Sequence, residues 1–420
     1  MIIRAKVYVV QSLATAIAAF LVLAVLNISV DPYSIWWRYE SGAVLCSKLI
    51  SDRLSKPHWI RSVRPRTVLL GTSRAMLGFD PASFDGISVP RPIFNAAVTA
   101  ASAHEMALSG ADALSLGTVE TMIIGLDFFQ FAAGKQTRTG FDPDRLATPG
   151  DFFPRWTPLA ADIGPTLLSF DATRKSLGAF EESMLDGREG AGLCDDLPSN
   201  TYTIDARGFT LDTSMAHSLR RGVPMKSLFA GELSRHYYSV YNHFIPMNIL
   251  EKTERGGLAG LLRSAADHGV KVVMFISPSH TTMWELLASR DLWRSWEQWK
   301  KDLSLLTEEV RQARDLDLTL WDFSGFNHVS TESIPPETGP QEMSNYWEAS
   351  HFKPSVGHMI LEIALGRTKV SDGFGVEVTP ENIDRHLAQI RQDRLNWQEN
   401  NRGEVDFVQR IVEDLKKQGY

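Results

Sequence analysis

Ser73, Glu348 and His351 are the side chains whose types and placement point most directly to chemistry: a hydroxyl nucleophile, a carboxylate and an imidazole. Ser73 ends Gly71-Thr72-Ser73, directly after the apolar run Thr67-Val68-Leu69-Leu70. That pattern puts it at the carboxyl end of a buried strand, where open α/β sheets present their ligands. Glu348 and His351 are three residues apart, and on one helical turn such a spacing gives both side chains the same face. The imidazole then takes the serine proton while the carboxylate orients the ring. Each piece has a plainer reading, Ser73 as a helix cap and Glu348 with His351 as a surface ion pair. Asp322 and His328, which follow another strand-like run, form a competing acid and base. Their six-residue spacing gives no common face, and Asp322 reads more simply as a loop cap.

The surroundings of the pair carry a resemblance. Aromatic residues flank it in Asn345-Tyr346-Trp347-Glu348-Ala349-Ser350-His351-Phe352, then come Gly357 and the apolar run Met359 to Leu365. On these residues the chain resembles the SGNH hydrolase superfamily, and within it the membrane-anchored relatives similar to DltD, which act in acyl transfer to cell-surface polymers. The last block of that family is D-x-x-H followed by a glycine and a helix, and Glu348 stands here in the Asp place. Phe94-Asn95-Ala96-Ala97-Val98-Thr99-Ala100-Ala101-Ser102 matches the second block in position, with alanines where glycines are usual. The third block, G-x-N, is met by Gly125-Leu126-Asp127, and an ionised Asp127 cannot donate the hydrogen bond that the asparagine gives. Asp127 is therefore either a site residue of another kind or an ion pair or backbone cap at a strand end.

The resemblance runs from about residue 65 to about residue 365 and is strongest at its two ends. It implies a three-layer α/β/α fold around a mostly parallel sheet and a Ser73-His351-Glu348 triad. The N–H groups of Ser73 and Ala100 would receive the oxyanion, which needs no side chain. Asn95 and Asp127 fall within the matching blocks. His280, in Ser277-Pro278-Ser279-His280 at the end of another predicted strand, is a candidate substrate contact or a loop histidine satisfied by backbone. The chemistry requires no cofactor and no metal, and no Cys and His cluster has zinc spacing.

Strand-like runs at Val119 to Phe131, Val270 to Ile276 and Leu316 to Phe323 alternate with helical patterns at Ala101 to Leu116, Leu250 to His268 and Trp296 to Arg314. Such alternation predicts a mostly parallel sheet covered on both faces. The expected organisation is an anchor over 1–30, a juxtamembrane segment over 31–65, a catalytic domain over 66–370 and charged helices over 371–420. An insertion over about 135–248, rich in Pro, Gly, Asp and aromatics, interrupts the domain and is expected over the active face. Its end carries Arg235-His236-Tyr237-Tyr238-Ser239-Val240-Tyr241-Asn242-His243, read as an aromatic stripe packed on the sheet or as rings that stack on sugars.

Val7 to Val30 carries no charge, follows Arg4 and Lys6, and is long enough to cross a bilayer. Its end, Asn27-Ile28-Ser29-Val30-Asp31, lacks a small-x-small cleavage site, which favours an uncleaved single-pass anchor over a signal peptide. The positive-inside rule puts the rest of the chain outside, periplasmic in a Gram-negative cell, anchored in the inner membrane. Trp36, Trp37 and Tyr39 fit headgroup depth. With 420 residues, a net charge of −7 and a pI near 5.9, the chain has room for one or two domains and no basic stripe for nucleic acid. Cys46 and Cys194 pair or stay free; their spacing does not decide.

Together these readings predict a membrane-anchored acyltransferase or esterase acting on O-acyl groups of an envelope or exported glycan. Its partners are an acyl donor, a glycan acceptor, the bilayer and a membrane-bound protein that exports the acyl group. The alternative is an inactive glycan-binding or scaffolding subunit, favoured by the alanines near Ala100 and by Asp127.

Overall fold

Short β-branched and leucine-rich runs pair into one twisted sheet. The computed structural model describes residues 2–33, 35–36, 45–47, 52–84, 86–134, 137–146, 161–186, 202–205, 207–212, 218–219, 221–242, 244–247, 257–338, 342–366 and 373–419. Trp37, Tyr39, Cys194, His243 and residues 250–256 lie outside them. In chain order, the main sheet contains β2 (Thr67–Leu70), β3 (Ile93–Asn95), β4 (Thr121–Leu126), β7 (Lys271–Ile276), β8 (Leu318–Asp322) and β9 (Val376–Glu377), arranged β3-β2-β4-β7-β8-β9. The first five are parallel and β9 runs antiparallel on the β8 edge. A small antiparallel sheet joins β1 (Leu45–Ser47) to β5 (Tyr202–Ile204) and β6 (Thr210–Asp212).

The central strands lack polar alternation because both faces are covered; every residue of β2 and of β4 is buried. Two helix sets do the covering. One is the row α4 (Ala103–Leu114), α7 (Leu258–Asp267) and α9 (Trp293–Arg314), packed in succession. The other is α3 (Ser73–Gly78) against α10 (Pro354–Ala364). That second contact depends on glycine: a Cβ at Gly357 would fall 1.8 Å from the Gly78 carbonyl oxygen. Helix α4 starts with a capping box, as Ser102-x-x-Glu105 requires.

Among the described residues the alternating strands and helices thus fold as the sequence predicts, with ends shifted by a few residues, except that Phe128–Phe131, read as strand, forms a 3-10 turn. Two features go beyond it, in the juxtamembrane segment and in the insertion, whereas the tail forms charged helices as expected. Helix α2 (Asp52–Val63), within the segment read as juxtamembrane, buries Trp59 and Ile60 in the main core. The inserted region supplies α5 (Phe170–Asp186) and α6 (Met225–Arg235) as well as β5 and β6. Its aromatic run continues α6 as a π-helical turn, burying His236 and Tyr237. The charged tail forms α11 (Ile383–Asn400) and α12 (Arg402–Lys417), which lay an apolar stripe with Leu387, Ile390, Trp397, Val408, Val412 and Leu415 on the domain. Helix α12 packs on α8 (Thr281–Ser289) and on α6. Helix α1 (Ile2–Val30) is long and apolar enough from Lys6 to Val30 to cross a membrane, and that stretch is almost entirely unburied.

Candidate active site

Strand order reverses at β2: the chain leaves it for β3 on one side and returns to β4 on the other. Doubly wound sheets open a crevice at such a switch point, outside the carboxyl ends of the strands. Ser73 lies there, as the first residue of α3. The chain turns from β2 into α3 through Gly71 at φ +151°, where a Cβ would lie 2.7 Å from that of Ala75. Thr72 then caps the helix, its hydroxyl accepting from the Arg74 N–H.

His351 approaches from the other end of the chain, with Nε2 2.8 Å from Ser73 Oγ. Its Nδ1 is hydrogen-bonded to Glu348 Oε1. Because a carboxylate only accepts, Nδ1 carries the proton and Nε2 is left to accept from serine. Glu348 also accepts from the backbone N–H groups of Ser350 (2.8 Å) and His351 (2.9 Å). Burial disfavours the His351 cation, but the charges of Glu348 and Glu232 and the Glu348 hydrogen bond outweigh it, and the pKa is raised above 6.5.

The pairing is as the spacing suggests, but the local geometry is not. Residues 344–351 form a bent loop rather than a helical turn, closed by a bridge between Tyr346 and Phe352. The shared face comes from the carboxylate capping the backbone of its own loop.

Asp127 does not face the substrate space. Its carboxylate accepts from Thr72 Oγ1 and, at 2.6 Å, from Arg74 Nη1, so it holds the residues on both sides of Ser73. It is the strand-end ion pair among the readings of this position. Arg74 Nε in turn donates to Ser350 Oγ at 3.1 Å. Burial opposes the Arg74 cation, and the acidic groups around it, Asp127 foremost and Glu348 after it, together outweigh that, leaving its pKa raised. Nothing in the sequence motifs singles out Arg74, since its partners are distant in the chain.

Asn95 is fully buried behind α3. Its amide donates to the carbonyls of Ala75 (3.1 Å) and Phe79 (2.9 Å), and its oxygen accepts from Ala97 N–H. Asn95 thus supports α3 and does not line the cavity that Ser73 faces. His280 is likewise internal rather than a substrate contact. Its ring bonds Thr282 Oγ1 (3.0 Å) and the Glu332 carbonyl (2.7 Å) and is enclosed by Phe229 and Tyr346. Burial lowers its pKa to about 4. The competing pair fails as well: Asp322 is buried against Lys300 (2.6 Å) and His386 (2.9 Å), not His328.

Ser73, Ala100 and His351 line one cavity of about 310 Å³, together with Phe129, Arg138, Glu232, Arg235, His236 and Ser350. Arg138, Glu232, Arg235 and His236 come from the inserted region, which therefore builds a wall of this cavity. Ala100 holds φ +50°, a left-handed conformation unusual for alanine. Ser73 offers the unbonded N–H of a first helical residue. A larger groove, about 810 Å³ between α8, α11 and α12, contains none of the predicted residues.

Glu232, which the sequence reading passed over, sits where α6 faces the imidazole. Burial raises its pKa, but His236, Arg235 and His351 pull it well below the carboxylate range. Ligand atoms of Glu232, Glu348 and His351 lie within 4.8 Å of one another. They already hold partners: both ring nitrogens of His351 are engaged, and Glu232 pairs with Arg235.

Compared with protein-family models, curated proteins and solved structures, the chain matches none.

Proposed function

We propose that this protein is a serine acyltransferase or esterase of the SGNH type, with a three-layer fold, acting on O-acyl groups of an extracytoplasmic glycan. The observation that carries the reading is the chain of contacts from Ser73 Oγ to His351 Nε2, at 2.8 Å, and from His351 Nδ1 to Glu348. Ser73 Oγ attacks the acyl carbonyl carbon as its proton passes to His351 Nε2. Negative charge on the carbonyl oxygen meets the N–H groups of Ser73 and Ala100, which are fixed before reaction. The leaving alcohol takes the proton from His351, and an acyl-serine remains. An acceptor hydroxyl then gives its proton to His351 and attacks the ester, releasing Ser73. A glycan acceptor makes the reaction a transfer, and water makes it a hydrolysis.

Helix α1 supports an envelope location. Arg4 and Lys6 before the apolar run favour a cytoplasmic N-terminus, an inner-membrane span and a periplasmic domain. Such a tether keeps the cavity near a membrane partner that delivers acyl groups.

A glycan-binding module without turnover is the second reading. It is favoured by Asp127, whose ion pair with Arg74 leaves the third block with no side-chain donor for an oxyanion. Purified full-length protein in detergent, given a chromogenic acetyl ester with and without oligosaccharide acceptors, separates the two. Turnover that disappears in Ser73→Ala supports the enzyme. Acceptor binding without any turnover, unchanged in Ser73→Ala, supports the module.

A further inference from the structure

We infer that α5 and the helical segment leading into it, residues 161–168 with a π-helical turn over Gly164–Leu168, form an interfacial foot, which dips into the same bilayer that α1 crosses. This rests on the reading of α1 as a spanning helix. The inward side of the foot is bolted to α1. Asn27 is a fully buried polar residue near the end of the apolar run. Its Nδ2 donates to the Leu167 carbonyl (2.7 Å) and to Thr173 Oγ1 (3.1 Å), and its Oδ1 accepts from Ser176 Oγ (2.8 Å). Just beyond, Tyr33 donates to Asp171 at 2.8 Å, and Lys175 lies over the Tyr33 ring. The foot is also fixed to the catalytic domain, because Asp162 accepts from Arg145 and pairs with His58 of α2 at 2.7 Å.

The outward side has the opposite character. Phe170 is 84% exposed, Leu177 51%, Ile163 43% and Leu168 40%. Phe170 and Leu177 are two helical turns apart and share a face with Arg174, while Ala172 and Ser176 on the other side are fully buried. Scattered apolar side chains on a soluble surface need no explanation. Here, however, the elements that carry them pack against α1, whose own exposed apolar residues include Leu21, Val25 and Ile28. The apolar helix from Lys6 to Val30 has 25 residues, about 37 Å at 1.5 Å per residue, against a hydrocarbon core of about 30 Å. Its last turns, where the foot is attached, therefore lie at the boundary between acyl chains and headgroups. A short amphipathic element with Phe and Leu facing out and a basic residue among them suits that depth. The occupant of this face is lipid.

The test uses the full chain with Cys46→Ser and Cys194→Ser, carrying one new cysteine at a time labelled with an environment-sensitive fluorophore. The positions are Phe170→Cys on the foot, Leu21→Cys on α1 and Glu309→Cys on exposed α9. Each protein is reconstituted into vesicles of phosphatidylcholine and phosphatidylglycerol, with or without lipids bearing a nitroxide quencher either near the headgroup, to report on Phe170, or midway along the acyl chain, to report on Leu21. The expected result is a blue-shifted emission and at least about twofold quenching at Phe170 and Leu21, with neither at Glu309. Quenching at Leu21 with a Glu309-like signal at Phe170 overturns the foot and leaves the span standing, as would follow if a protein partner covers that face. No quenching at Leu21 overturns the span, and the foot with it. Because Phe170 is almost wholly exposed, its replacement removes little packing.

Discussion

Arg74, the residue after Ser73, donates to the hydroxyl of Ser350, the residue before His351, at 3.1 Å. The two segments that meet at the site are therefore joined by their neighbours as well as by the reacting groups. Asp127 completes the brace by holding Thr72 and Arg74.

Ser73→Ala should accordingly keep the fold and the cavity while abolishing acyl transfer. A thermal unfolding midpoint within a few degrees of the parent, alongside loss of turnover, is the expected result. A collapse in stability would show that the Ser73–His351 contact itself holds the site.

Glu348→Gln should lower turnover by two or more orders of magnitude, because the amide no longer stabilises the imidazolium that forms during attack. An ester assay with folded protein checks this. Asp322→Asn is the control. It disturbs a buried ion pair with Lys300 and should cost stability, while the folded fraction keeps near-parent turnover.

Asp127→Asn puts an amide where the family resemblance expects one, yet it should not raise activity. It would leave the Arg74 guanidinium buried without its counter-charge, a change that typically costs about 3–5 kcal/mol. Denaturant titration gives the stability and the ester assay the activity. An increase in turnover at unchanged stability would mean that this position faces the oxyanion after all.

Two histidines give opposite pH signatures. His351 must be neutral to accept a proton, and its pKa is raised, so turnover should climb with pH through a midpoint above 6.5. In Glu348→Gln the midpoint of residual activity should move to lower pH. The raised pKa adds stability that is fully present below the unfolded value near 6.5 and is lost as pH rises through the folded one. His280 behaves in reverse. With a folded pKa of about 4 it stays neutral where the unfolded chain is protonated, so it removes stability as pH falls from about 6.5 to 4, by up to about 3 kcal/mol. Unfolding of His280→Gln should show a smaller decline over that interval.

What the sequence made legible followed from local pattern. The runs ending at Leu70, Leu126, Ile276 and Asp322 are apolar enough to be strands, and Ser73 and His351 with its carboxylate were placed by motif and spacing. The uses of Asp127, Asn95 and His280 were not, because a polar side chain at a strand end looks the same whether it faces a cavity or ties down a neighbouring segment. Their partners are contributed by Arg74, Phe79 and Glu332, and only the folded topology decides which of these comes within reach. Glu232 escaped for a related reason: it belongs to an ordinary amphipathic helix within an irregular region, and its approach to His351 is set by how that region folds back.

Helix α12 packs on α6, the helix that carries Glu232 and Arg235 into the cavity wall. A helix encoded after Ser73, Glu348 and His351 is thus a strut for one wall of the cavity they share. The shape of the cavity is thereby coupled to a helix pair outside it, and a stop near residue 400 would leave Ser73, Glu348 and His351 encoded and a cavity wall unsupported.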